Sequence, residues 1–175
     1  MELKVNNTCC FIGHRKIDWT KMLEDRVKAV VENLIVKKRV DTFLFGSRSK
    51  FNDLCYEVVS EFKKKYQNIK RIYVRGEFQY IDDKYKEKYF LKYHEDSYLP
   101  NRCSVGSYAS YIERNREMID SSDICVFYYD KSYTPERQVL SNRGVSPKYS
   151  SKTSGTKLAF DYAKRKHKEI INVYM

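Results

Sequence analysis

The chain has 175 residues, 42% of them hydrophobic, with 34 Lys and Arg against 23 Asp and Glu, a formal net charge of +11. That length fits one domain over residues 1–175 with room to bury roughly 70% of its unfolded surface, and no apolar stretch is long enough to span a bilayer, which excludes a helical membrane protein. The basic excess suits an anionic partner; the densest runs, Lys37-Lys38-Arg39, Lys63-Lys64-Lys65 and Lys164-Arg165-Lys166-His167-Lys168, also fall where helices are expected to end and cations favour the helix dipole.

In chain order, residues 8–12 form a short apolar run that reads as a buried strand and ends at Gly13-His14-Arg15. Residues 19–37 carry Met22, Val27, Val30, Val31, Leu34 and Ile35 at helical spacing. Thr42 to Phe45 is a second strand, followed by Gly46-Ser47. Phe51 to Tyr66 repeats apolar residues as a helix does, and Ile69 to Val74 is a third strand closed by Arg75-Gly76.

Residues 77–107 lack a single period. Tyr85, Tyr89 and Tyr93 recur every fourth residue, which on a helix places them on one face, packed on the sheet or stacked on bases. Tyr108 to Ile119 predicts a helix and Ile124 to Tyr129 a strand ending at Asp130. Residues 131–152, rich in Ser, Lys, Tyr and Pro, read as a mobile loop near the site. Ser154-Gly155-Thr156 opens a helix through Lys166, and Glu169 to Tyr174 is the last strand. Helices alternating with strands in this way predict an α/β, Rossmann-like three-layer fold: a mainly parallel sheet with helices on both faces.

The five cysteines, Cys9, Cys10, Cys55, Cys103 and Cys125, are odd in number, lack metal-ligand spacing and follow no secretory segment. They predict reduced thiols, no metal site and a cytoplasmic location. His94 and His167 carry no metal signature and read as surface residues.

Three turns carry the chemistry: Gly13-His14-Arg15, Gly46-Ser47 and Ser154-Gly155-Thr156. Each sets small or basic residues at a strand exit or helix start, where backbone N–H groups meet anions and where open α/β sheets bind ligands. Each also has a plainer reading, as a tight turn at Gly13, a helix cap at Ser47 or a bare cap at Ser154. Arg15 and Arg114 offer planar forks for phosphate; Arg114-Asn115 sits mid-helix, where propensity does not ask for Asn. Asp130, at a strand end, suits a ribose hydroxyl, a general base or a simple turn.

These residues resemble the SLOG superfamily (SMF/DprA and LOG), and within it the YpsA-like group. The likeness rests on a first strand leading into Gly-His-Arg, Cys9 to Arg15; on Gly46-Ser47 after the second strand; on the helix Glu113-Arg114-Asn115-Arg116; on Ser122-Asp123 before the next strand; and on Ser154-Gly155-Thr156-Lys157 with Tyr162-Ala163 beyond it. It spans nearly the whole chain. It implies a nucleotide or a nucleotide-derived molecule of NAD or ADP-ribose type at the carboxyl edge, held by Gly13, His14, Arg15, Gly46, Ser47, Arg114, Asn115, Asp130, Ser154, Gly155 and Thr156, with no cofactor and with self-association as a homodimer.

The LOG branch hydrolyses the N-glycosidic bond of nucleoside monophosphates with the signature Pro-Gly-Gly-x-Gly-Thr-x-x-Glu. Here Gly155-Thr156 matches, but Ser151-Lys152-Thr153 replaces Pro-Gly-Gly and Ala159 occupies the glutamate position. Three functions follow. The first is a nucleotide sensor or sequestering protein. The second is an N-glycosidase with Asp130, Arg114 and Glu113 as catalytic candidates; Glu117 and Asp161 are the other acids available. The third, ranked lowest, is a DprA-type nucleic-acid binder.

Overall fold

A computed structural model describes residues 7–46, 48–76, 81–103, 109–133 and 154–174. Its strands are β1 (Thr8–Gly13), β2 (Thr42–Phe45), β3 (Lys70–Val74), β4 (Asp96–Tyr98), β5 (Ile124–Tyr128) and β6 (Glu169–Asn172). Between them lie α1 (Lys21–Val36), α2 (Lys50–Lys65), the short α3 (Asp83–Lys86) continued by a π-helical turn (Glu87–Leu91), α4 (Ala109–Asp120) and α5 (Gly155–Arg165). The strands form one sheet in the order β4-β3-β2-β1-β5-β6, every neighbouring pair parallel. The α/β expectation holds.

Alternation along the strands divides the interior in two. Cys9, Phe11, Phe43, Phe45 and Val126 face one layer, with Leu23, Val27, Val31 and Leu34 of α1 and Phe51, Leu54, Cys55, Val58 and Val59 of α2. Cys10, Ile12, Leu44, Val74, Cys125 and Phe127 face the other, with Met118 and Ile119 of α4 and Ala159 and Ala163 of α5. Central strands covered on both faces explain the continuous apolar runs.

The helix starts follow from their caps. The Thr20 side chain accepts from the Leu23 N–H, that of Ser49 from Asn52 and that of Ser154 from Lys157. Lys63, Lys64 and Lys65 close α2 and Lys164 and Arg165 close α5, so the basic runs sit where the dipole favours them.

Three expectations need correction. The sequence pattern predicts five strands, and β4 is a sixth. Three residues, Asp96-Ser97-Tyr98, pair only with β3 at the sheet edge, and no apolar run announces so short an edge strand. The Arg71–Glu95 ion pair at 2.9 Å, with Lys63 on the same carboxylate at 3.2 Å, fastens its start to β3 and α2. Second, Tyr85, Tyr89 and Tyr93 do not share a buried face: Tyr89 and Tyr93 are about half exposed and Phe90 packs inward. The π-helical turn adds a residue to the repeat and rotates the face. Third, His94 is not a surface residue. Its ring lies among Tyr56, Tyr73 and Phe45, at centroid distances of 5.0, 5.5 and 6.2 Å, and burial lowers its pKa to about 4. His167 is exposed, as expected.

Of the loop predicted over 131–152, only residues 131–133 fall within the described residues; Ser47 also lies outside them. Among the described residues no helix is long and apolar enough to cross a membrane.

Candidate functional site

The strand order reverses between β1 and β5: the chain runs outward from β1 through β2, β3 and β4, then resumes on the other side with β5 and β6. A crevice opens at such a reversal, at the carboxyl ends of the strands. His14 follows β1 there and Asp130 lies just beyond β5.

His14 is 2% exposed. The Asp130 N–H donates to its Nε2 at 2.9 Å, while the Asp130 carbonyl is farther away at 3.3 Å. The shorter contact makes Nε2 the acceptor and places the ring proton on Nδ1. Nδ1 is buried and has no hydrogen-bond partner among the described residues. Tyr133 stacks on the imidazole at 3.9 Å with an interplanar angle of 15°. Burial lowers the His14 pKa, outweighing the Asp130 carbonyl and carboxylate, so the ring is neutral at physiological pH.

This ring lines an open cleft of about 710 Å³, with Lys16, Arg26, Tyr128, Asp130, Tyr133 and Tyr174 among its walls. Arg26 of α1 is held by donating Nη1 to the Val173 carbonyl at 2.6 Å. The Asp130 carboxylate accepts from the Ser132 hydroxyl at 2.6 Å and the Ser132 N–H at 2.8 Å. Those two bonds, the hydroxyl first, hold its pKa below the ordinary carboxylate value. Asp130 is therefore ionised, a good acceptor for a hydroxyl and a weak general base.

At both glycine turns, side chains from other elements come close. At Gly13 a Cβ would run into the Phe51 ring at the start of α2. At Gly46 it would press on Met118 Sδ and lie 2.9 Å from Arg114 Nε. Both glycines admit helices close to a strand end. Two amides at these exits are engaged: His14 N–H reaches the Tyr128 carbonyl at 3.4 Å, and Gly46 N–H donates to Asn52 Oδ1 at 3.2 Å. Asn52, 3% exposed, also donates to the Phe11 carbonyl and the Ser49 hydroxyl, tying β1 and β2 to α2.

Arg114 is 5% exposed and reaches the β2 exit. Its Nε and Nη2 donate to Asn115 Oδ1 at 3.3 and 3.2 Å, and its guanidinium lies 5.3 Å from the Tyr111 ring centroid. Asn115 therefore orients Arg114. The Arg15 side chain is exposed.

Lys168, just past α5, donates to the Asp120 and Ser122 carbonyls beside the start of β5, so α5 ends at the amino edge. With about 1.5 Å of rise per residue, its 11 residues return its N-terminus to the carboxyl edge. There Ser154 and Thr156 are buried. Ser154 Oγ caps Lys157, while the N–H groups of Gly155 and Thr156 precede any intrahelical acceptor. Ala159, at the glutamate position of the LOG signature, is 3% exposed and lies in the core.

The structure brings His14 to Asp130, and Gly46 to Arg114, which Asn115 holds. Glu113 is half-buried on α4. Glu117 pairs with Arg102 at 3.4 Å and Asp161 with Lys157 at 2.6 Å. Among the described residues no cluster of His, Cys, Asp and Glu is arranged to hold a metal ion. Sequence reasoning missed Asn52, Arg26, Tyr133 and Tyr174; Tyr133, three residues beyond Asp130 and bonded N–H to the Asp130 carbonyl at 3.1 Å, had only its loop position as a signal.

No protein-family model matches the sequence, and no curated protein matches it. Among solved structures, the chain is similar to DNA processing protein A of Helicobacter pylori, described for its single-stranded DNA binding mode. The TM-score is 0.55 at 14% identity, over 97% of this chain and 67% of that one. The likeness is one of fold, an α/β, Rossmann-like arrangement around a parallel sheet.

Proposed function

We propose that this chain binds a nucleotide or nucleotide-derived small molecule in the cleft at the β1/β5 reversal, as a sensor or sequestering protein of the YpsA-like group. The observation that carries this reading is His14: a buried, neutral ring, fixed by the Asp130 amide, stacked on Tyr133 and opening on a cleft with two cations, Lys16 and Arg26, and two carboxylates, Asp18 and Asp130, in its walls. Aromatic groups suit a base, Lys16 and Arg26 suit phosphate, and ionised Asp130 suits a ribose hydroxyl. Hydrolysis is disfavoured by the buried Ala159 and by the low basicity of Asp130. The test is mass spectrometry of small molecules released from freshly purified protein, followed by incubation with nucleotides and NAD-derived compounds. An intact bound nucleotide is expected; free base plus a ribose phosphate would replace this reading with a glycosidase.

A second reading has its own observation. Arg116, Arg165 and Lys166 gather around the Tyr162 ring, with centroid distances of 5.3, 5.7 and 5.4 Å. Together with the fold likeness to a protein described as binding single-stranded DNA, this favours a nucleic-acid backbone on the α4–α5 face. Such binding would weaken steeply with salt; an unchanged affinity between low and high salt would remove it.

A further inference from the structure

Arg75 is the first residue beyond β3, at the carboxyl edge, and is 9% exposed. Its N–H donates to the Tyr98 carbonyl at 2.8 Å, which fixes the backbone across to β4. Its guanidinium lies by the Phe90 ring of the π-helical turn, 5.8 Å from the centroid. Nε and Nη1 are buried and have no hydrogen-bond partner among the described residues. Burial lowers its proton affinity. Arg71, on the same strand, is the contrast: it forks onto Glu95 through Nε and Nη2 and gives Nη1 to Ser60 and Tyr56. A buried guanidinium stays charged, and natural proteins pair such charges.

The next residue, Gly76, brings a second guanidinium close. A Cβ there would lie 3.4 Å from Arg114 Nη1 and 3.3 Å from Tyr111. Two arginines thus converge on the β3 exit.

We propose that Arg75 is the anchor of a phosphate subsite, with Arg114 beside it, for the same ligand whose ring lies at His14. The planar guanidinium of arginine matches two phosphate oxygens, side-on through Nε and Nη2 or end-on through Nη1 and Nη2, and either fork would satisfy one of the open donors. This inference rests on the nucleotide reading above and adds a length to the ligand. The register pairs Cys10 with Leu44 and Leu44 with Ile72; extended, it sets Arg75 level with Gly13. Two strand spacings separate them, about 10 Å. A nucleotide bearing two or more phosphates, or a dinucleotide, spans that distance better than a nucleoside monophosphate.

The test uses the whole chain, inorganic pyrophosphate and a nucleoside without phosphate, with thermal melting at constant ionic strength. Pyrophosphate is expected to raise the melting temperature of the wild type above a chloride-matched control. Arg75→Met should melt no lower than wild type without anion, bind pyrophosphate at least about 10-fold more weakly, and bind the nucleoside unchanged. Arg75→Lys, which keeps the charge but not the fork, should fall between, and it decides the matter if Arg75→Met does not fold. The proposal is overturned if pyrophosphate does not stabilise the wild type or if both variants keep full pyrophosphate affinity. It is overturned too if only a single-stranded oligonucleotide, and not pyrophosphate, depends on Arg75. Pyrophosphate binding through Arg75 with no nucleoside binding would leave the phosphate subsite standing and remove the His14 cleft reading instead.

Discussion

His94→Phe is expected to flatten the acid dependence of stability. The imidazole sits among Phe45, Tyr56 and Tyr73 with its Nδ1 buried and unpaired. Burial lowers its pKa from 6.5 to about 4; Arg71 lowers it further, while the Phe90 carbonyl and Glu95 act the other way. The unfolded chain therefore takes up this proton first as pH falls. Stability from neutral His94 is complete above pH 6.5 and drains away between 6.5 and 4. A tenfold change in proton affinity is about 1.4 kcal/mol, so the full effect approaches about 3 kcal/mol, and partial exposure of the ring reduces it to about 2.

Phenylalanine keeps the aromatic packing and cannot titrate. Urea denaturation, followed by the fluorescence of the one tryptophan, Trp19, should show wild type losing about 2 kcal/mol more than the variant across that window. His14, also lowered by burial, leaves a residual slope in both proteins. Glu95 acts lower still. Burial raises its pKa, but bonds from Arg71 and Lys63 outweigh that and hold it at about 2, so its contribution is present above pH 4.5 and lost towards 2. Equal slopes for wild type and variant between pH 6.5 and 4 would refute the reasoning.

Other substitutions test the structural assignments. Gly13→Ala should cost about 1–3 kcal/mol in urea melts by driving a methyl into Phe51, with partial recovery on adding Phe51→Leu; full stability with lost ligand binding would instead make Gly13 a ligand contact. Asn52→Leu leaves the Gly46 N–H without its acceptor and should cost about 2–4 kcal/mol, measured the same way. Ala159→Glu buries a carboxylate in the core and should cost about 3 kcal/mol or more, a fall of roughly 6–12 °C in melting temperature; gain of N-glycosidase activity in a stably folded variant would contradict the placement of this position.

The fold was legible where chemistry is local. Strands covered on both faces read as apolar runs, as in Cys9 to Ile12 and Ile124 to Phe127, and caps such as Thr20 and Ser154 announce their helices. β4 was not, because three edge residues held by one neighbour need no apolar pattern. The tyrosines misled because a π-helical turn breaks the fourfold spacing that aligned them.

At the site, the glycines mark the turns at two strand exits, and the side chains that crowd them, Phe51, Met118 and Arg114, lie far away in sequence. Likewise the burial of His94 and the isolation of Arg75 depend on residues brought in by the sheet. Strand order joined His14 to Asp130, and strand order is set by the whole chain rather than by either turn.

The central claim is that a nucleotide occupies the cleft built on His14. Thermal melting of wild type and Tyr133→Ala against a nucleotide panel tests it most directly. The account predicts saturable stabilisation by at least one nucleotide, about 2.7 kcal/mol at a hundredfold excess over Kd or roughly 5–10 °C, and its loss in a Tyr133→Ala protein that melts like wild type alone. Stabilisation by no nucleotide, or equal stabilisation of both proteins, would contradict it.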